Sequence, residues 1–332
     1  MREPSFWWRK AGLAAGLLAP AAFCYGAITA RRMARSGAQP GLPVLCVGNF
    51  THGGTGKTPT VMTLASLLQD AGERPYCLSR GYGGSLAGPK QVDAHADHAA
   101  QVGDEALLLA RVAPTIVARD RVAGAAAARA AGATVVIMDD GLQNPSLAKD
   151  FTIAVIDGRR GIGNARVFPA GPLRAPLEAQ FARTDALLVV GENGGTSDVV
   201  AAAGARGVPV LHGRLVPDTG VAATFKGRKV LAFAGIGDPE KFFSSVAEAG
   251  IDIEQAVPFP DHHRYTAEEA AALIMQAEHG GLALLTTEKD HARMTGESLL
   301  DALRTRAHVL AVTLRLDETD ELRRLVLAKV RR

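Results

Sequence analysis

The sequence has few cysteines and few aromatic residues. Its three cysteines, Cys24, Cys46 and Cys77, are scattered through 332 residues, with no CxxC pair and no Cys/His cluster. This pattern argues against a disulfide framework and against a structural zinc site, and it is typical of a protein in a reducing cytosol. We therefore interpret all three cysteines as small buried hydrophobic residues.

A strong charge of one sign is also missing. The 37 Lys and Arg residues nearly balance the 34 Asp and Glu residues, so the net charge is +3. Aromatic residues make up 5% of the chain, and no basic stripe with interleaved aromatics is present. These absences argue against nucleic-acid binding. The length and a hydrophobic content of 47% suffice for one large α/β domain or two smaller ones.

Charged residues are absent from residues 11–30, "AGLAAGLLAPAAFCYGAITA". A run of this length can span a bilayer, but it is rich in Ala and Gly and contains Pro20, so it is weakly hydrophobic for a span. The other interpretations are a cleaved signal peptide, a helix buried against the protein, and an interfacial helix. In the interfacial helix Trp7 and Trp8 lie at headgroup depth, beside basic residues that face anionic lipid, namely Arg9, Lys10, Arg31, Arg32 and Arg35. We expect this segment to associate with a membrane.

Short apolar runs alternate with helical stretches from residue 43 onward. The predicted strands are "PVLCVG", "RPYCLS", "TIVA", "TVVIMDDG", "FTIAVIDG" and "DALLVVG", and helices such as "TPTVMTLASLLQDAG" and "RVAGAAAARAAG" lie between them. This βαβ rhythm predicts an α/β fold with a largely parallel sheet and helices on both faces. Ligands in such sheets bind beyond the carboxyl ends of the strands.

The composition changes to turn-forming and polar residues in "HGRLVPDTGVAATFKGRK". A second α/β pattern follows, which begins with "VLAFAGIGDPEKFFSSVAEAG" and continues through "LALLTTEKD" and "HVLAVTLRL". We therefore predict three parts. They are a hydrophobic, membrane-associated helix over residues 1–35, a core domain over residues 36–215, and a smaller C-terminal α/β domain over residues 216–332.

The stretch "VGNFTHGGTGKTPTV" lies between the first predicted strand and the first predicted helix. Its glycines Gly53, Gly54 and Gly56 allow the backbone to curl around a phosphate, and the dipole of the following helix adds positive potential. Lys57 supplies a mobile cation for the β- and γ-phosphates, and Thr58 supplies a hydroxyl for Mg²⁺. These features predict a nucleotide site.

The loop departs from the usual G-x-x-x-x-G-K-[ST] pattern at Thr51, which stands in place of the first glycine. This change removes no group that touches phosphate. We therefore predict nucleotide binding by the whole loop, through Thr51, His52, Gly53, Gly54, Thr55, Gly56, Lys57 and Thr58. The strand "TVVIMDD" supports this prediction because it ends in Asp139 and Asp140, and a P-loop enzyme needs an acid at such a strand end to hold Mg²⁺.

Both motifs belong to a longer series of blocks, "VGNFTHGGTGKTP", "LSRGYGG", "VGDEALLLA", "VARDR", "MDDGLQN", "VIDGRRGIGNARVFPAGPLR", "FAGIGDPEKFF", "FPDHHRYT" and "LLTTEKD". The series closely resembles the tetraacyldisaccharide 4′-kinase family of Gram-negative bacteria, from about residue 6 to residue 294. The resemblance implies a P-loop kinase that uses ATP and Mg²⁺. Its substrate would be the 4′-hydroxyl of a tetraacylated glucosamine disaccharide 1-phosphate in lipid A biosynthesis. Thr51 follows the usage of this family, in which the first loop position is commonly Ser or Thr.

The resemblance also implies a place and partners for the protein. Family members act at the cytoplasmic face of the inner membrane, often through a hydrophobic N-terminal helix. The expected partners are therefore the lipid-linked disaccharide and the lipid surface of the inner membrane. No nucleic acid and no obligate protein partner are expected.

Roles for single residues follow from the matching blocks. Lys57 and the loop amides are expected to hold the β- and γ-phosphates, and Thr58 is expected to bind Mg²⁺. Asp139 and Asp140 are expected to complete the metal site and to orient the reacting groups, so that Asp140, like Lys57, takes part in catalysis. Gln143, in the family's "DDGxQ" block, is expected to contact nucleotide or a metal-bound water.

The acceptor hydroxyl must lose its proton as it attacks, and a carboxylate or a carboxylate–histidine pair is the usual base. The family's base is the Asp of "GDE", here Asp104, assisted by the His of its "DH" block. We match that histidine to His262, which follows Asp261, rather than to His263. Glu105 lies beside the base and is expected to tune it or to touch the metal. Because the base and its histidine come from both predicted domains, we expect the site to assemble when the domains close.

Arginines in the predicted loops are candidates for the substrate's 1-phosphate and for transition-state charge: Arg80, Arg119, Arg121, Arg159, Arg160 and Arg174. Arg174 is the best candidate because it belongs to the "PAGPLR" block. It is followed by Ala175, where the family often has Glu, so any role of that carboxylate is absent or displaced. The block "TTEKD" resembles the family's lining of the adenine end of the nucleotide, with a capped helix start as the alternative, and it contains Glu288, Lys289 and Asp290.

Two other functions are weaker matches. A ParA/MinD-type membrane ATPase also has a GKT loop, but its signature lysine would fall at His52. A non-catalytic nucleotide switch at a membrane has no need of a sugar-hydroxyl base such as Asp104 with His262. We therefore predict an enzyme, a phosphotransferase.

Overall fold

The computed structural model describes residues 3–192 and 194–331. After a 3₁₀ turn at Ser5–Trp8, its helices are α1 (Leu13–Leu17), α2 (Ala19–Met33), α3 (Lys57–Asp70), α4 (Ala99–Val102), α5 (Asp104–Ala110), α6 (Arg121–Ala130), α7 (Leu177–Phe181), α8 (Ser197–Gly204), α9 (Thr219–Thr224), α10 (Pro239–Glu248), α11 (Ala267–Gly280), α12 (Glu288–Arg293), α13 (Ser298–Arg306) and α14 (Thr319–Val330). Its strands are β1 (Val44–Gly48), β2 (Pro75–Ser79), β3 (Lys90–Gln91), β4 (Thr115–Val117), β5 (Val135–Asp139), β6 (Phe151–Asp157), β7 (Ala186–Val190), β8 (Val210–Pro217), β9 (Lys229–Ala234), β10 (Asp252–Pro258), β11 (Ala283–Thr286), β12 (His308–Val309) and β13 (Val312–Leu316).

The larger of two sheets has the strand order β13-β8-β7-β6-β1-β5-β2-β4-β3. Neighbouring strands are parallel except at the two edges, where β13 pairs antiparallel with β8 and β3 with β4. The central strands β1, β5, β6 and β7 are buried along their whole length, as expected when helices cover both faces. The predicted α/β fold with a largely parallel sheet is confirmed.

The core of this sheet explains why its central strands read as continuous apolar runs. Leu64 and Leu68 of α3 and Val326 of α14 form one buried cluster with Leu45 and Ile137 from the sheet. A second cluster lies around α7 and α8. Each fully buried Leu contributes about 1.5–3 kcal/mol relative to an exposed one, so the two covered faces fix the strands that carry the site.

The smaller sheet has the order β10-β9-β11-β12, with all pairs parallel. The chain then returns to the larger sheet, because β13 pairs with β8 and α14 packs in the larger core. The prediction assigned residues 216–332 to the smaller unit, and for β13 and α14 it was wrong. The alternating pattern of "VTLRL" belongs to an edge strand whose Leu314 and Leu316 join the larger core.

The N-terminal segment is shorter and more broken than a bilayer span. The helical run is interrupted at Leu18, just before Pro20, so α1 and α2 are separate helices. Within residues 3–192 and 194–331, no helix combines the length and apolar character needed to cross a membrane. One face of α2 is buried, at Ala22, Gly26 and Met33, while large apolar side chains elsewhere on α1 and α2 are exposed, namely Leu13, Leu17, Phe23 and Ile28.

Two expectations about single residues of this segment were wrong. Trp7 is not available to lipid headgroups, because it is buried against the protein, with 6% of its surface exposed. Cys24 is exposed, unlike Cys46 and Cys77, because it lies on the outward side of α2 and not in the core.

Candidate functional site

The phosphate loop, residues 51–58, joins β1 to α3 at the edge of the larger sheet where the carboxyl ends of its parallel strands lie. Gly53 and Gly56 adopt φ angles of 96° and 94°, a conformation that strains any residue with a Cβ atom. The side chain of Lys57 is 11% exposed. The buried hydroxyl of Thr55 has no hydrogen-bond partner within the described part of the chain, as expected for a group that meets a phosphate.

Two carboxylates lie where β5 ends, and their surroundings differ. Asp139 is buried, and its Oδ1 lacks a hydrogen-bond partner among the described residues. Asp140 accepts two hydrogen bonds from Arg174 Nη1, at 2.8 and 2.9 Å, and its Oδ1 lies 3.7 Å from Lys57 Nζ. Asp140 is therefore neutralised by two cations, whereas Asp139 is not.

The pKa values report the same difference. Burial, together with the nearby Glu105 and Asp140 carboxylates, raises the pKa of Asp139 to about 7. Burial alone would also raise the pKa of Asp140, but Lys57 and Arg174 outweigh it and lower that pKa. Burial lowers the pKa of Lys57. The negative potential at Asp139 favours the protonated carboxyl, and a bound cation would favour its ionised form.

This set of donors fits Mg²⁺ bound together with phosphate. Mg²⁺ uses one or two carboxylates plus phosphate oxygens and water rather than an all-protein cage. Accordingly, the described residues contain no group of three His, Cys, Asp or Glu side chains arranged to hold an ion alone. Thr58 and the unpartnered oxygen of Asp139 belong to the same cavity. The other predicted metal ligands, Asp140 and Glu105, are engaged in ion pairs with cationic side chains.

Asp104 begins α5, and its side chain is 4% exposed. Its Oδ2 accepts a hydrogen bond from Arg293 Nε at 2.8 Å and another from Arg293 Nη2, and it lies 3.4 Å from His262 Nδ1. His262 lines the main cavity but Asp104 does not. The carboxylate expected to be the base is therefore shielded behind the histidine expected to assist it.

Charges around this pair shift both pKa values. Burial would raise the pKa of Asp104, but the hydrogen bond to His262 and the charges of Arg293 and Lys289 outweigh it and lower that pKa. Burial would lower the pKa of His262, but Asp104 outweighs it and raises that pKa. Asp104 is thus held ionised, and His262 is made a better proton acceptor than a free imidazole.

Arg293 was missed by the sequence analysis. Besides Asp104, it donates to the carbonyl of Gly235 at 2.7 Å and to Asp290 Oδ1 at 3.0 Å, both through Nη1. The available signal was its position three residues after Asp290, on the same face of a short helix. The block "LLTTEKD" ends at Asp290 and does not include it.

Asp290 is not placed to contact a nucleotide, contrary to the prediction. It is fully buried and does not line the cavity. It accepts hydrogen bonds from Gly235 N and the Tyr265 hydroxyl, each at 3.0 Å. Its neighbours Glu288 and Lys289 do line the cavity. The "TTEKD" block therefore serves partly as a buried junction that fixes α12.

A second ion pair joins α12 to α5. Lys289 Nζ lies 2.7 Å from Glu105 Oε1, so Glu105 is paired with a cation from the smaller unit. Together with the Arg293–Asp104 pair, it links the two units at consecutive residues of α5. The two sheets therefore meet at the site through charged side chains.

Several predicted nucleotide contacts have structural partners instead. Gln143 Nε2 donates to Asn49 O and to Gln180 Oε1, both at 2.7 Å, although Gln143 also lines the cavity. Thr51 is buried outside the cavity lining, and its carbonyl accepts from Arg174 Nε at 3.0 Å. For His52, burial and the charge of Arg174 lower the pKa to about 4, so this ring is neutral at neutral pH.

The predicted arginines fall into three groups. Arg80 and Arg174 line the main cavity. Arg121 is buried and donates to the carbonyls of Leu78 and Asp139, each at 3.2 Å. The remaining three lie outside the main cavity lining: Arg159 and Arg160 pair with Asp238, and Arg119 lines a second pocket.

This second pocket, here called the anion pocket, has a volume of 440 Å³. Its basic lining residues are Arg32, Arg35, Arg119 and Arg121. Two of its buried polar atoms, Arg121 Nε and Ser146 Oγ, have no hydrogen-bond partner in residues 3–192 and 194–331. Arg32 and Arg121 line the main cavity as well, so the two spaces are adjacent.

The main cavity has a volume of 690 Å³ and lies between the two sheets. The larger sheet contributes the phosphate loop and Asp139, and the smaller unit contributes Gly237, His262 and Lys289. Ala175, at the position where the family that the sequence resembles often has Glu, is fully buried in the apolar cluster with Phe50 and Phe181 and adds no charge to this space.

A sequence profile described as tetraacyldisaccharide-1-P 4′-kinase matches residues 14–331. The chain belongs to this family. It is therefore a kinase of lipid A biosynthesis, as the sequence blocks predicted.

Similar proteins match most or all of this chain. The tetraacyldisaccharide 4′-kinase of Nitrobacter winogradskyi is 52% identical over 100% of this chain and 99% of its own length. That of Methylobacterium sp. (strain 4-46) is 59% identical over 89% of each. A crystal structure of LpxK from Aquifex aeolicus in complex with ATP has a TM-score of 0.72 at 26% identity, and the match covers 95% of this kinase and 99% of that chain.

Proposed function

We propose that this kinase transfers the γ-phosphate of MgATP to the 4′-hydroxyl of a tetraacylated glucosamine disaccharide 1-phosphate. The observation that carries the proposal is the placement of the phosphate loop and of His262 on the lining of one cavity. Phosphoryl transfer needs little more than such positioning and charge neutralisation. The ATP complex of the Aquifex aeolicus relative supports ATP as the donor.

The nucleotide phosphates are bound by the amides of the phosphate loop and by Lys57. Thr58 and Asp139 are the residues best placed to hold Mg²⁺, because Asp140 is engaged by Arg174 and Lys57. When bound, Mg²⁺ neutralises charge on the phosphate oxygens. Asp140 keeps Lys57 and Arg174 directed toward the same space, which is how it would contribute to catalysis.

The proton acceptor is His262, with Asp104 as its partner. His262 Nδ1 lies 3.4 Å from Asp104 Oδ2, and in the tautomer with the proton on Nδ1 the other ring nitrogen, Nε2, is left to take the proton of the sugar hydroxyl. This assignment differs from the expectation from the sequence, in which Asp104 is the immediate base and His262 assists it. It is supported by the burial of Asp104 and by the two hydrogen bonds that its Oδ2 accepts from Arg293. Arg293 holds Asp104 and is a positioning residue.

The anion pocket receives the 1-phosphate of the substrate. It lies beside the main cavity, it carries four arginines, and two of its buried polar atoms lack protein partners in the described residues. Arg119 and Arg121 were predicted for this role, and the pocket lining also contains Arg32 of α2 and Arg35, which follows that helix. Arginine suits the task because its fork of donors matches a phosphate.

Lipid enters along α2. Tyr25, Thr29 and Arg32 line the main cavity, while Phe23 and Ile28 of the same helix are exposed. Such a helix can lie in the interface of the cytoplasmic face of the inner membrane, with the acyl chains remaining in the bilayer and the sugars reaching the cavity. The two units are then expected to close over the bound sugar, since the site draws residues from both.

The test is transfer of labelled γ-phosphate from MgATP to the tetraacylated disaccharide 1-phosphate in detergent. The unmodified chain should transfer, and Lys57→Ala and Asp104→Ala should not. The control is Lys226→Ala, which removes one positive charge from an exposed position. ATP hydrolysis that requires Lys57, ignores Asp104 and yields no lipid product would refute the proposal and favour a membrane ATPase.

A further inference from the structure

The chain from Glu3 to Trp8, here called the N-terminal strap, is docked beside the phosphate loop. The indole Nε1 of Trp7 donates a hydrogen bond to the carbonyl of Pro169 at 3.1 Å. Glu3 forms an ion pair with Arg160 at 3.1 Å. The strap is therefore fixed near both of its ends to the segment that follows β6.

The strap contacts two consecutive residues of the phosphate loop. The ring of Trp7 lies 6.0 Å from that of His52, centroid to centroid, and both rings pack against Phe168. At Gly53 a Cβ atom would fall against the carboxylate of Glu3. His52 and Gly53 also line the main cavity. The strap thus supports the loop directly beside the place proposed for the phosphates.

We propose that the strap is a positioning element of the phosphate loop and that Trp7 is its main positioning residue. The inference rests on the proposed nucleotide function of the loop. Removing the indole leaves His52 without one of its two aromatic neighbours, so the loop can adopt other conformations. A smaller fraction of the protein is then competent to bind nucleotide, and the apparent affinity falls in proportion to that competent fraction.

The first experiment uses the fact that both tryptophans of the chain, Trp7 and Trp8, lie in the strap. In full-length Trp8→Phe protein, Trp7 is the sole tryptophan. We expect MgATP to change its emission, with a midpoint equal to the dissociation constant that calorimetry gives for the same protein. Trp8→Phe combined with Lys57→Ala, which removes the phosphate-binding cation, should show no change.

The second experiment measures kinetics. Trp7→Ala should raise KM for ATP by about tenfold, with little change in KM for the lipid substrate. Trp7→Phe, which keeps a ring against His52, should restore most of the difference. A residue needed only for folding would lower the melting temperature and the active fraction but leave KM for ATP unchanged. Exposed Met275→Ala, on α11, is the control for effects of truncation at the surface.

The outcomes separate this inference from the proposed function. Calorimetric MgATP binding with unchanged Trp7 emission, and a KM for ATP unaffected by Trp7→Ala, would overturn the inference alone. Absence of MgATP binding by the unmodified chain would overturn the proposed function and this inference with it. The emission experiment uses the Trp8→Phe variant, in which Trp7 is intact. Its result therefore does not depend on whether the Trp7→Ala variant folds.

Discussion

The two walls of the main cavity are held in place by different means. The wall from the larger sheet is a loop between adjacent elements, β1 and α3, and its shape follows from local glycine conformations and from the buried strands beneath it. The wall from the smaller unit depends on two ion pairs that cross between the units, Arg293–Asp104 and Lys289–Glu105. The first wall is shaped by its own backbone, whereas the second is held in place by ion pairs between side chains.

This difference suggests a division of labour. Changes in the first wall should abolish nucleotide binding and chemistry together. Changes in the second wall should spare nucleotide binding and reduce the rate of transfer, because they disturb the groups that face the acceptor hydroxyl.

The largest effect is expected in the first wall. Lys57→Ala should lower kcat/KM by at least about 10³-fold, because the β- and γ-phosphates lose their cation. MgATP binding, measured by calorimetry, should be lost in parallel. Retention of tight MgATP binding would show that the phosphate loop does not hold the nucleotide as described.

Substitutions in the second wall should lower the rate of transfer nearly as much, without weakening MgATP binding. His262→Ala should lower kcat by about 10²–10⁴-fold, the usual contribution of a general base, while MgATP affinity measured by calorimetry stays the same. Asp104→Ala combined with His262→Ala should cost little more than one of the changes alone, because the two act as a unit. Fully additive losses in kcat would contradict the pairing.

Arg293→Ala tests whether the ion pair between Arg293 and Asp104 holds the second wall in place. It leaves Asp104 buried without its main cation, so the free energy of unfolding should fall by about 3–5 kcal/mol, and kcat should fall more than KM for ATP rises. Arg306→Ala breaks an exposed pair with Glu278 and should cost about 0–1 kcal/mol. Denaturant unfolding compares the two, and equal costs would count against a special role for Arg293.

The smallest effect concerns the anion pocket, which lies outside both walls. Arg119→Ala should raise KM for the lipid substrate by about tenfold, since one charge-assisted contact to phosphate is lost. The same variant should not change KM for an analogue that lacks the 1-phosphate. An equal rise for both substrates in the transfer assay would place the 1-phosphate elsewhere.

The sequence predicted the first wall well, because each of its signals is local. An apolar strand, spaced glycines and a GKT tripeptide together specify a strand, a loop and a helix start within about 15 residues. Asp139 and Asp140 were found in the same way, at the end of a strand.

The second wall was predicted only through the family resemblance. Nothing in the residues around Asp104 and His262 shows that they meet, because their contact depends on how the two sheets pack. Arg293 and Trp7 were missed or misplaced for the same reason, since their partners lie far away in the chain. The return of β13 to the larger sheet was also hidden, because an edge strand five residues long has the same pattern in either sheet.

The antiparallel pairing of β8 with β13 makes the smaller unit an insertion. Val312 is the register partner of Pro217, so the chain leaves the larger sheet and re-enters it at points one strand spacing apart, about 5 Å. Residues 218–311 therefore form a cassette that a short turn could replace without opening a gap in the sheet. Such a replacement would leave the phosphate loop and Asp139 in place but would remove His262, Lys289 and Arg293, and with them the whole second wall.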